Sequence, residues 1–223
     1  MTDLSNWSRR ERPGLWPLPG DHVVLEPLDW KAHLDGLFHA IAAPEAADTW
    51  TYMPIGPFDD RDDFQTMLDQ VRANAGWEML VIRKGNGGTI LGMAGFMRIR
   101  EIHGSVEVGC VSFSHALRRT PDATEAMYLM AQHVFEELGY RRYEWKCHND
   151  NAKSHRAAQR FGFKYEGVFR NDMVIKGKNR DTAWYAMTDE DWPDVKRAFQ
   201  AWLDPSNFDA DGQQKTRLES FRS

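Results

Sequence analysis

The chain has 223 residues, of which 42% are hydrophobic and 27% are charged, and its formal net charge is -5. This length suits one well-cored domain, and the composition is that of a globular protein rather than a disordered or fibrous one. The acidic balance argues against a nucleic-acid-binding surface, and no apolar run reaches the roughly 18 residues of a membrane-spanning helix. We therefore expect a soluble cytoplasmic protein with no nucleic-acid or membrane partner, whose acidic surface suits an amine-bearing one.

The cysteine pattern gives no sign of a metal site. Cys110 and Cys147 are the only cysteines, and the pair Cys147-His148 lacks the repeated spacing of zinc ligands. The opening residues are polar and proline-rich, without the apolar core of a signal peptide. We expect two reduced, buried thiols and no bound metal.

The first 21 residues are predicted to form an arm on the protein surface, because they carry three prolines and two tryptophans. Residues 22–203 are expected to form the domain. It begins with a strand over His22–Leu28 and a helix over Ala32–Ala43, which Pro44 ends.

The segment Asp48–Phe58 is aromatic and proline-rich without a usable period. Two interpretations stay open, a packed connection or one wall of a pocket for an acceptor substrate. In the second interpretation the substrate-contacting residues are Trp50, Tyr52 and Met53.

A helix is predicted to open with Asp59, Asp60, Asp62 and Asp63. Their carboxylates either complement the positive end of the helix dipole or form a rim that attracts cations. Strands over Trp77–Arg83 and Thr89–Arg100 follow, joined by the turn Gly85-Asn86-Gly87-Gly88. No Lys-Ser or Lys-Thr pair follows these glycines and a strand comes next, so the turn is not a phosphate loop.

Glu107 is the unusual residue of the next strand, which is predicted over Val106–Ser114 after a hairpin at His103-Gly104-Ser105. A carboxylate in a buried strand is costly unless it is paired, hydrated or at an open end of the sheet. Glu107 is therefore either a structural residue or a base with a perturbed pKa.

The clearest helix covers Pro121–Leu138, with Thr120 as its N-cap and Gly139 at its end. Arg118 and Arg119 stand immediately before its N-terminus, whose free amides favour anions. They are interpreted either as residues that flank a pyrophosphate or as ordinary surface arginines.

A polar elbow follows the strand predicted over Glu144–His148. It consists of residues that favour helix N-caps, namely Asn149, Asp150 and Asn151. The next helix has one face made of Ser154, Ala157, Ala158 and Phe161, and Gly162 provides its left-handed end. The elbow exposes backbone amides, so it suits an anionic or thiol-bearing ligand.

The remaining elements complete a mixed α/β fold. They are a strand over Phe163–Arg170, a polar loop over Asn171–Asn179, a strand over Arg180–Met187 and a helix over Asp189–Leu203. Residues 204–223 form a polar tail that is expected to be loosely held. The tryptophan-rich arm and the final helix provide enough apolar surface for a homodimer contact.

From roughly His22 to Met187 the chain resembles the GCN5-related N-acetyltransferase (GNAT) family. The resemblance is carried by EVGCVSFSHALRRTPDATEA and EWKCHNDNAKSHRAAQRFGFKYEGVFR. These stretches are similar to the acetyl-CoA motif and the N-x-x-S helix of the bacterial ribosomal-protein alanine and serine N-terminal acetyltransferases. The resemblance implies one domain with flanking helices and a mostly antiparallel sheet that contains two splayed parallel strands.

The resemblance also implies which residues bind acetyl-CoA. The family motif Q/R-x-x-G-x-G/A is matched by the run from Arg118 to Ala123, in which Pro121 replaces the middle glycine. Proline has no N–H, so at least one pyrophosphate contact must be absent or moved. The implied binding residues are Val111, Phe113, Arg118, Arg119, Thr120, Ala123, Thr124, Asn149 and Asn151.

The chemistry implied by the resemblance begins with a strand bulge near Cys110 that aims a backbone N–H at the thioester oxygen. Glu107 matches the family's E-I-G position and is the candidate general base. Many family members carry a proton-donating tyrosine where this chain has Ala158. Ser154 is the candidate that stabilises the departing thiolate, although ordinary hydrogen bonding at the helix start also accounts for it.

The sequence thus predicts an acetyl-CoA-dependent N-acetyltransferase that acts on a primary amine, either a protein N-terminus or a small molecule. The alternative is a non-catalytic acyl-CoA-binding or protein-interaction module on the same fold.

Overall fold

A single eight-stranded sheet organises the chain, whose computed structural model describes residues 3–85 and 88–223. The strands are β1 (Leu18–Pro19), β2 (Val23–Pro27), β3 (Glu78–Lys84), β4 (Ile90–Arg100), β5 (Ser105–Phe113), β6 (Arg142–His148), β7 (Lys164–Ile175) and β8 (Lys178–Thr188). Their order in the sheet is β1-β2-β3-β4-β5-β6-β8-β7, and the neighbours are antiparallel except β5 and β6. This confirms the predicted mixed α/β fold with one parallel pair.

Helices cover both faces of the sheet and enclose two apolar cores. Among the described residues the α-helices are α1 (Trp30–Leu37), α2 (Arg61–Ala75), α3 (Pro121–Gln132), α4 (Ala152–Arg160) and α5 (Trp192–Leu203). Side chains of α1 and α2 pack with Val81 and Met93 on one face. Those of α3 and α5 pack with Val108, Tyr143 and Trp145 on the other.

The helix starts follow the predicted capping chemistry. Asp60 accepts hydrogen bonds from the backbone of Asp62 and Asp63 at the start of α2. Thr120 and Asn151 cap α3 and α4 in the same way, each with a side-chain oxygen. Each cap satisfies only some of the first backbone amides. The starts of α3 and α4 therefore retain N–H donors that have no partner within the helix.

The predicted helices over Ala32–Ala43 and Pro121–Leu138 exist, but each ends in a wider turn. The α-helical hydrogen bonding stops at Leu37 and at Gln132, and π-type turns continue over Phe38–Ala42 and His133–Glu137. Such turns admit one extra residue, which side-chain periodicity over a short stretch does not reveal.

The predicted polar loop over Asn171–Asn179 is wrong. β7 runs through to Ile175, and β8 starts at Lys178 after a two-residue turn. Most side chains of β7 are exposed, so the strand carries polar residues without the alternation that marks a half-buried strand. Elsewhere the predicted strands are confirmed within a few residues, while Asn86 and Gly87 of the predicted β3–β4 turn lie outside the described residues.

The two ends of the chain are both attached to the domain. In the arm, the indole of Trp7 donates to the carbonyl of Ile102 at 2.9 Å, and the carbonyl of Glu11 accepts from the hydroxyl of Tyr140 at 3.0 Å. The last residues of the predicted arm belong to the sheet, because Leu18 of β1 is buried and pairs with β2. The expectation of a loosely held tail is wrong. Leu218 is fully buried, and Arg222 donates to the carbonyl of Arg160 at 2.6 Å, which satisfies the end of α4.

The apolar side chains expected at a homodimer contact are largely used within the chain. Trp192 and Trp202 of α5 are 5% and 4% exposed, because they pack into the core beside α3. In the arm, Trp16 is 69% exposed. The final helix therefore offers no apolar face of the kind predicted.

Candidate active site

A cleft opens where β5 and β6 separate. The two parallel strands pair from Ser105 and Arg142 as far as Val108 and Trp145. Beyond this point β5 continues along β4 and β6 continues along β8. Beyond this point the backbone groups of β5 and β6 no longer form hydrogen bonds with each other, as predicted for the two splayed strands.

A bulge re-aims the backbone of β5 at the mouth of the cleft. The pairs Met93–Ser112 and Gly95–Gly109 leave one extra residue in β5, and Cys110 has a φ of +49°. A positive φ at a non-glycine residue costs on the order of 1–3 kcal/mol, and such strain clusters at functional sites. The predicted bulge is confirmed. Burial raises the pKa of the Cys110 thiol to about 12, so the group is an inert apolar filler.

Val111 and Phe113 follow the bulge along the open edge of β5, and both are half-buried. Just before the bulge, a Cβ at Gly109 would collide with the sulfur of Met97, so any side chain there would require that methionine to move.

One side of the cleft is the turn that leads into α3, which we call the first jaw (residues 114–124). Thr120 accepts from the backbone of Ala123 at 3.2 Å, and Pro121 is the first helical residue. Arg119 is exposed, with a φ of +66° and no partner among residues 3–85 and 88–223. Thr124 is buried, and its hydroxyl donates to the carbonyl of Thr120 at 3.3 Å.

Arg118 connects the first jaw to the predicted acceptor wall. Its guanidinium donates to the carbonyl of Phe113 at 3.0 Å and to the hydroxyl of Thr49 at 2.7 Å, and it lies 3.2 Å from the carboxylate of Asp48. Desolvation by itself raises the pKa of the Asp48 carboxyl. The hydrogen bond and the charge of Arg118 are the main opposing influences, and the pKa lies below its usual value. Sequence reasoning placed Arg118 beside a phosphate but did not foresee this link.

The other side of the cleft is the elbow into α4, which we call the second jaw (residues 149–155). Asn151 accepts from the backbone of Ser154 at 3.1 Å, and the hydroxyl of Ser154 accepts from the indole of Trp145 at 2.9 Å. The ring of His155 lies 2.9 Å from the carbonyl of Asn149 and 2.5 Å from the hydroxyl of Tyr185. These bonds fix the elbow between β6 and β8, and Ala158 is fully buried behind it.

Glu107 lies on one face of β5, and the apolar side chains on either side of it in the sequence lie on the opposite face. It is 3% exposed, and its carboxylate lies 3.1 Å from the ammonium of Lys146 and 3.7 Å from the guanidinium of Arg98. Burial raises the pKa of Glu107, the neighbouring charge of Glu144 adds to this, and the two cations oppose it. The group is thus a buried carboxylate that is only partly compensated.

Glu144, the neighbour of Glu107 across the parallel pair, is compensated much better. Its carboxylate lies 2.5 Å from Arg100 and 2.7 Å from Arg142. Arg142 in turn forms a two-point contact with Glu166, at 2.8 and 2.6 Å, and this contact is the main reason that the pKa of Arg142 is raised.

The predicted acceptor wall needs one correction. Trp50 is fully buried, and its indole donates to the carbonyl of Ile41 at 2.6 Å, so the ring lies beneath the wall and not on it. Tyr52 is 37% exposed and its ring centre lies 5.2 Å from that of His148, while Met53 is half-buried. These two remain as the surface of the wall.

The β7–β8 hairpin closes the wall from the far side. The ammonium of Lys176 at the hairpin turn donates to the carbonyl of Trp50 at 2.9 Å. Trp184 of β8 lies under two cations, with its ring centre 5.0 Å from Lys146 and 5.0 Å from Arg98. Sequence reasoning missed Lys146, although the polar residues Glu144, Lys146 and His148 alternate with apolar ones along β6 and indicate a polar face.

Within the described parts of the chain, no helix combines the length and apolar character that a membrane crossing requires. The same residues contain no group of three or more His, Cys, Asp or Glu side chains arranged to hold a metal ion.

Known proteins were compared with the chain by sequence and by structure. The sequence model of the GNAT acetyltransferase domain matches residues 22–164. None of the curated proteins matches the chain significantly. A GCN5-related N-acetyltransferase from Brucella melitensis is 43% identical, with a TM-score of 0.92, and the match covers 98% of this chain and 99% of that one. A probable GNAT-family acetyltransferase from Chromobacterium violaceum is 39% identical, with a TM-score of 0.81 over 86% of this chain and 96% of that one.

A more distant structure shares the fold alone. It is the spermidine N-acetyltransferase from Vibrio cholerae in complex with CoA and spermine, which is 14% identical with a TM-score of 0.62 over 78% of this chain and 99% of that one. The family match, the two closer structures and the splayed strands with their bulge agree with one another. The chain belongs to the GNAT family of N-acetyltransferases.

Proposed function

We propose that the protein uses acetyl-CoA to acetylate a primary amine, which attacks the thioester directly and passes through a tetrahedral intermediate. The observation that carries this is Glu107, a buried carboxylate in the last paired stretch of β5 before the cleft, three residues before the bulge at Cys110 and four before Val111. We propose acetyl-CoA as the acetyl donor because the structure of the spermidine N-acetyltransferase of the same fold contains CoA.

Glu107 is the proposed general base. An amine attacks only when it is neutral, and an α-amino group with a pKa near 8 loses its proton far more readily at neutral pH than a lysine near 10.4. The raised pKa of Glu107 makes its carboxylate a stronger proton acceptor than an exposed one. Lys146, at 3.1 Å, opposes this rise and favours the ionised form of Glu107, which is the form that accepts a proton.

The backbone N–H of Val111 is the proposed donor to the oxyanion. The pairing with β6 ends at Val108, which leaves backbone groups of this part of β5 unpaired on the cleft side, and the bulge at Cys110 re-aims them. A fixed donor in a site with little water stabilises the developing charge without reorganisation.

The first jaw is proposed to hold the coenzyme phosphates. Arg118, Arg119 and the free amides at the start of α3 supply positive charge, with Thr120, Ala123 and Thr124 shaping the turn. Phe113, Asn149 and Asn151 border the splayed strands, where pantetheine would extend. Pro121 removes one amide, and Asp48 already occupies Arg118, so the phosphates must compete with that carboxylate.

Ser154 is proposed to stabilise the departing thiolate. Its oxygen accepts from Trp145 at 2.9 Å, and its hydroxyl proton, which also has the buried Cys147 thiol within hydrogen-bonding reach, would turn to the departing thiolate. The positive end of α4 adds to this. The buried Ala158 cannot take part.

The test is calorimetric titration with acetyl-CoA followed by assays of thiol release with a panel of amines. Binding together with amine-dependent thiol release is the expected result. Binding without thiol release for any amine would instead favour the non-catalytic acyl-CoA-binding alternative, and absence of binding would exclude both.

A further inference from the structure

Arg180 of β8 is a half-buried guanidinium without a counter-ion. Its Nε donates to the hydroxyl of Thr182 at 3.2 Å. Among residues 3–85 and 88–223 no carboxylate lies within 4.0 Å of it, and its two terminal nitrogens donate to no protein acceptor. By contrast, Arg98 and Arg100 of β4 and Arg142 of β6 all have carboxylate partners. Desolvation lowers the pKa of Arg180, which marks the burial of its charge as unfavourable in the free protein.

Arg180 faces the proposed acceptor site. Every second residue of a strand lies on the same face, so Arg180, Thr182 and Trp184 share one face of β8. On this face Thr182 pairs with His148 and Trp184 pairs with Lys146 of β6. His148 packs on the Tyr52 wall, and Lys146 is the partner of Glu107. The charge of Glu107 is also the largest favourable influence on the ionisation of Arg180. The guanidinium and the proposed base therefore border the same cleft.

A second unpaired donor lies on the same face of β8. The buried indole nitrogen of Trp184 has no hydrogen-bond partner among the described residues. Its ring also packs against Phe169, with 4.9 Å between ring centres, so it forms part of a defined surface. Two donors without acceptors on one side of a cleft call for a ligand that brings acceptor atoms.

We propose that Arg180 binds a carboxylate of the acceptor, so that the substrate is a primary amine that also carries a carboxylate. This rests on the proposed function, in which the amine lies at Glu107. A guanidinium and a carboxylate match in geometry and form two parallel hydrogen bonds. A polyamine is disfavoured, because it would bring a second ammonium group towards Arg180 and Lys146.

The test compares matched acceptors in the wild-type enzyme and in Arg180→Gln. Glycine, β-alanine and 4-aminobutyrate are each assayed against their own carboxamides. A peptide with amidated C-terminus and the N-terminal sequence Ala-Glu is assayed against Ala-Gln. The first set represents a free amino acid and the second an acidic peptide. The ratio of kcat/KM for carboxylate over carboxamide is measured in each enzyme, so that differences in amine pKa cancel between the two.

For at least one pair we expect this ratio to be about 10- to 100-fold higher in the wild type than in Arg180→Gln, mainly through KM, as for loss of a charged hydrogen bond. Arg180→Lys should restore part of it, and Arg197→Gln on α5 should leave it unchanged. Equal ratios in the wild type and Arg180→Gln would overturn the proposal, as would a loss of acetyl-CoA affinity as the only effect of Arg180→Gln.

If no amine in either set or in the panel described above is acetylated, the proposed function fails by itself. The carboxylate site is then tested by calorimetric titration of the CoA-saturated protein with β-alanine and with β-alaninamide. Tighter binding of β-alanine that Arg180→Gln removes supports the site, and equal binding of the two compounds overturns it.

Discussion

The two faces of β5 and β6 are equally buried but chemically opposite. On one face Val106, Val108, Tyr143 and Trp145 are all at most 5% exposed, and they form part of the larger apolar core. On the other face Glu107 and Glu144 are 3% and 2% exposed. The same strands therefore bury apolar surface on one side and ionisable groups on the other.

The comparison teaches that burial serves different ends on the two faces. Apolar burial stabilises the fold by roughly 25 cal/mol per Å². Burying a carboxylate opposes folding unless partners compensate for it. Glu144 has two arginine partners at 2.5 and 2.7 Å, whereas Glu107 has one lysine at 3.1 Å and a more distant arginine. The incomplete compensation of Glu107 suits its proposed role as a base, because a base must be able to take up and release a proton.

On the apolar face, Tyr143→Ala is expected to give the largest loss of stability. The ring of Tyr143 is fully buried among Phe96, Phe135 and Phe163, so its loss leaves a cavity. We expect the free energy of unfolding to fall by about 3–5 kcal/mol, measured by urea denaturation.

Tyr143→Phe is the matched control for this change. The buried hydroxyl of Tyr143 has no hydrogen-bond partner, so its removal should raise the free energy of unfolding by about 1 kcal/mol. A loss of stability in Tyr143→Phe would show that the hydroxyl has a partner such as a buried water.

Glu107→Gln removes the proposed base from the charged face while nearly keeping its shape. We expect kcat/KM to fall by about 10²- to 10³-fold at pH 7, because the amide cannot accept the amine proton. The acid-side inflection in the pH profile that Glu107 causes should also disappear.

Glu144→Gln is the matched control, since it changes an equally buried carboxylate on the adjacent strand. It should reduce stability, because two arginines lose their partner, but keep kcat/KM within about tenfold. An equal loss of rate in both variants would mean that the charged face acts only as a structural unit.

Ser154→Ala tests the thiolate step at the second jaw. We expect about a tenfold fall in kcat with acetyl-CoA, because one charge-assisted hydrogen bond is lost. The loss should shrink with an acetyl thioester whose leaving thiol has a lower pKa. A defect that is independent of the leaving group would assign Ser154 to hydrogen bonding at the start of α4 alone.

Most of the fold could be predicted because local signals agreed with the tertiary structure. Thr120, Asn151 and Asp60 cap helices where the sequence places them, and Glu107 stood out as a carboxylate in an apolar strand. The β7–β8 hairpin could not be predicted in full, because Asn171–Asn179 is polar and exposed on a ribbon that needs no apolar alternation.

The partners of the site residues were beyond sequence reasoning because they come from distant strands. Lys146 meets Glu107 only through the parallel pairing of β5 and β6, and Arg118 meets Asp48 across 70 positions of chain. The burial of Trp50 likewise depends on how its segment packs beneath the wall. Sheet pairing and the packing of distant segments, not residue type, determine these contacts.

The smallest expected effects are shifts of the pH profile in opposite directions. The acid limb of kcat/KM should rise as Glu107 loses its proton, and this limb lies above the usual range for a glutamate because burial raises the pKa of Glu107. Lys146→Met removes a cation that favours the carboxylate, so the limb should move to higher pH. Glu144→Gln removes a like charge, so the limb should move to lower pH. Each shift should be at most about one pH unit, equivalent to roughly 1.4 kcal/mol. Because the same amine is used throughout, its own titration cancels, and shifts in the same direction for both variants would show that Glu107 does not cause the acid limb.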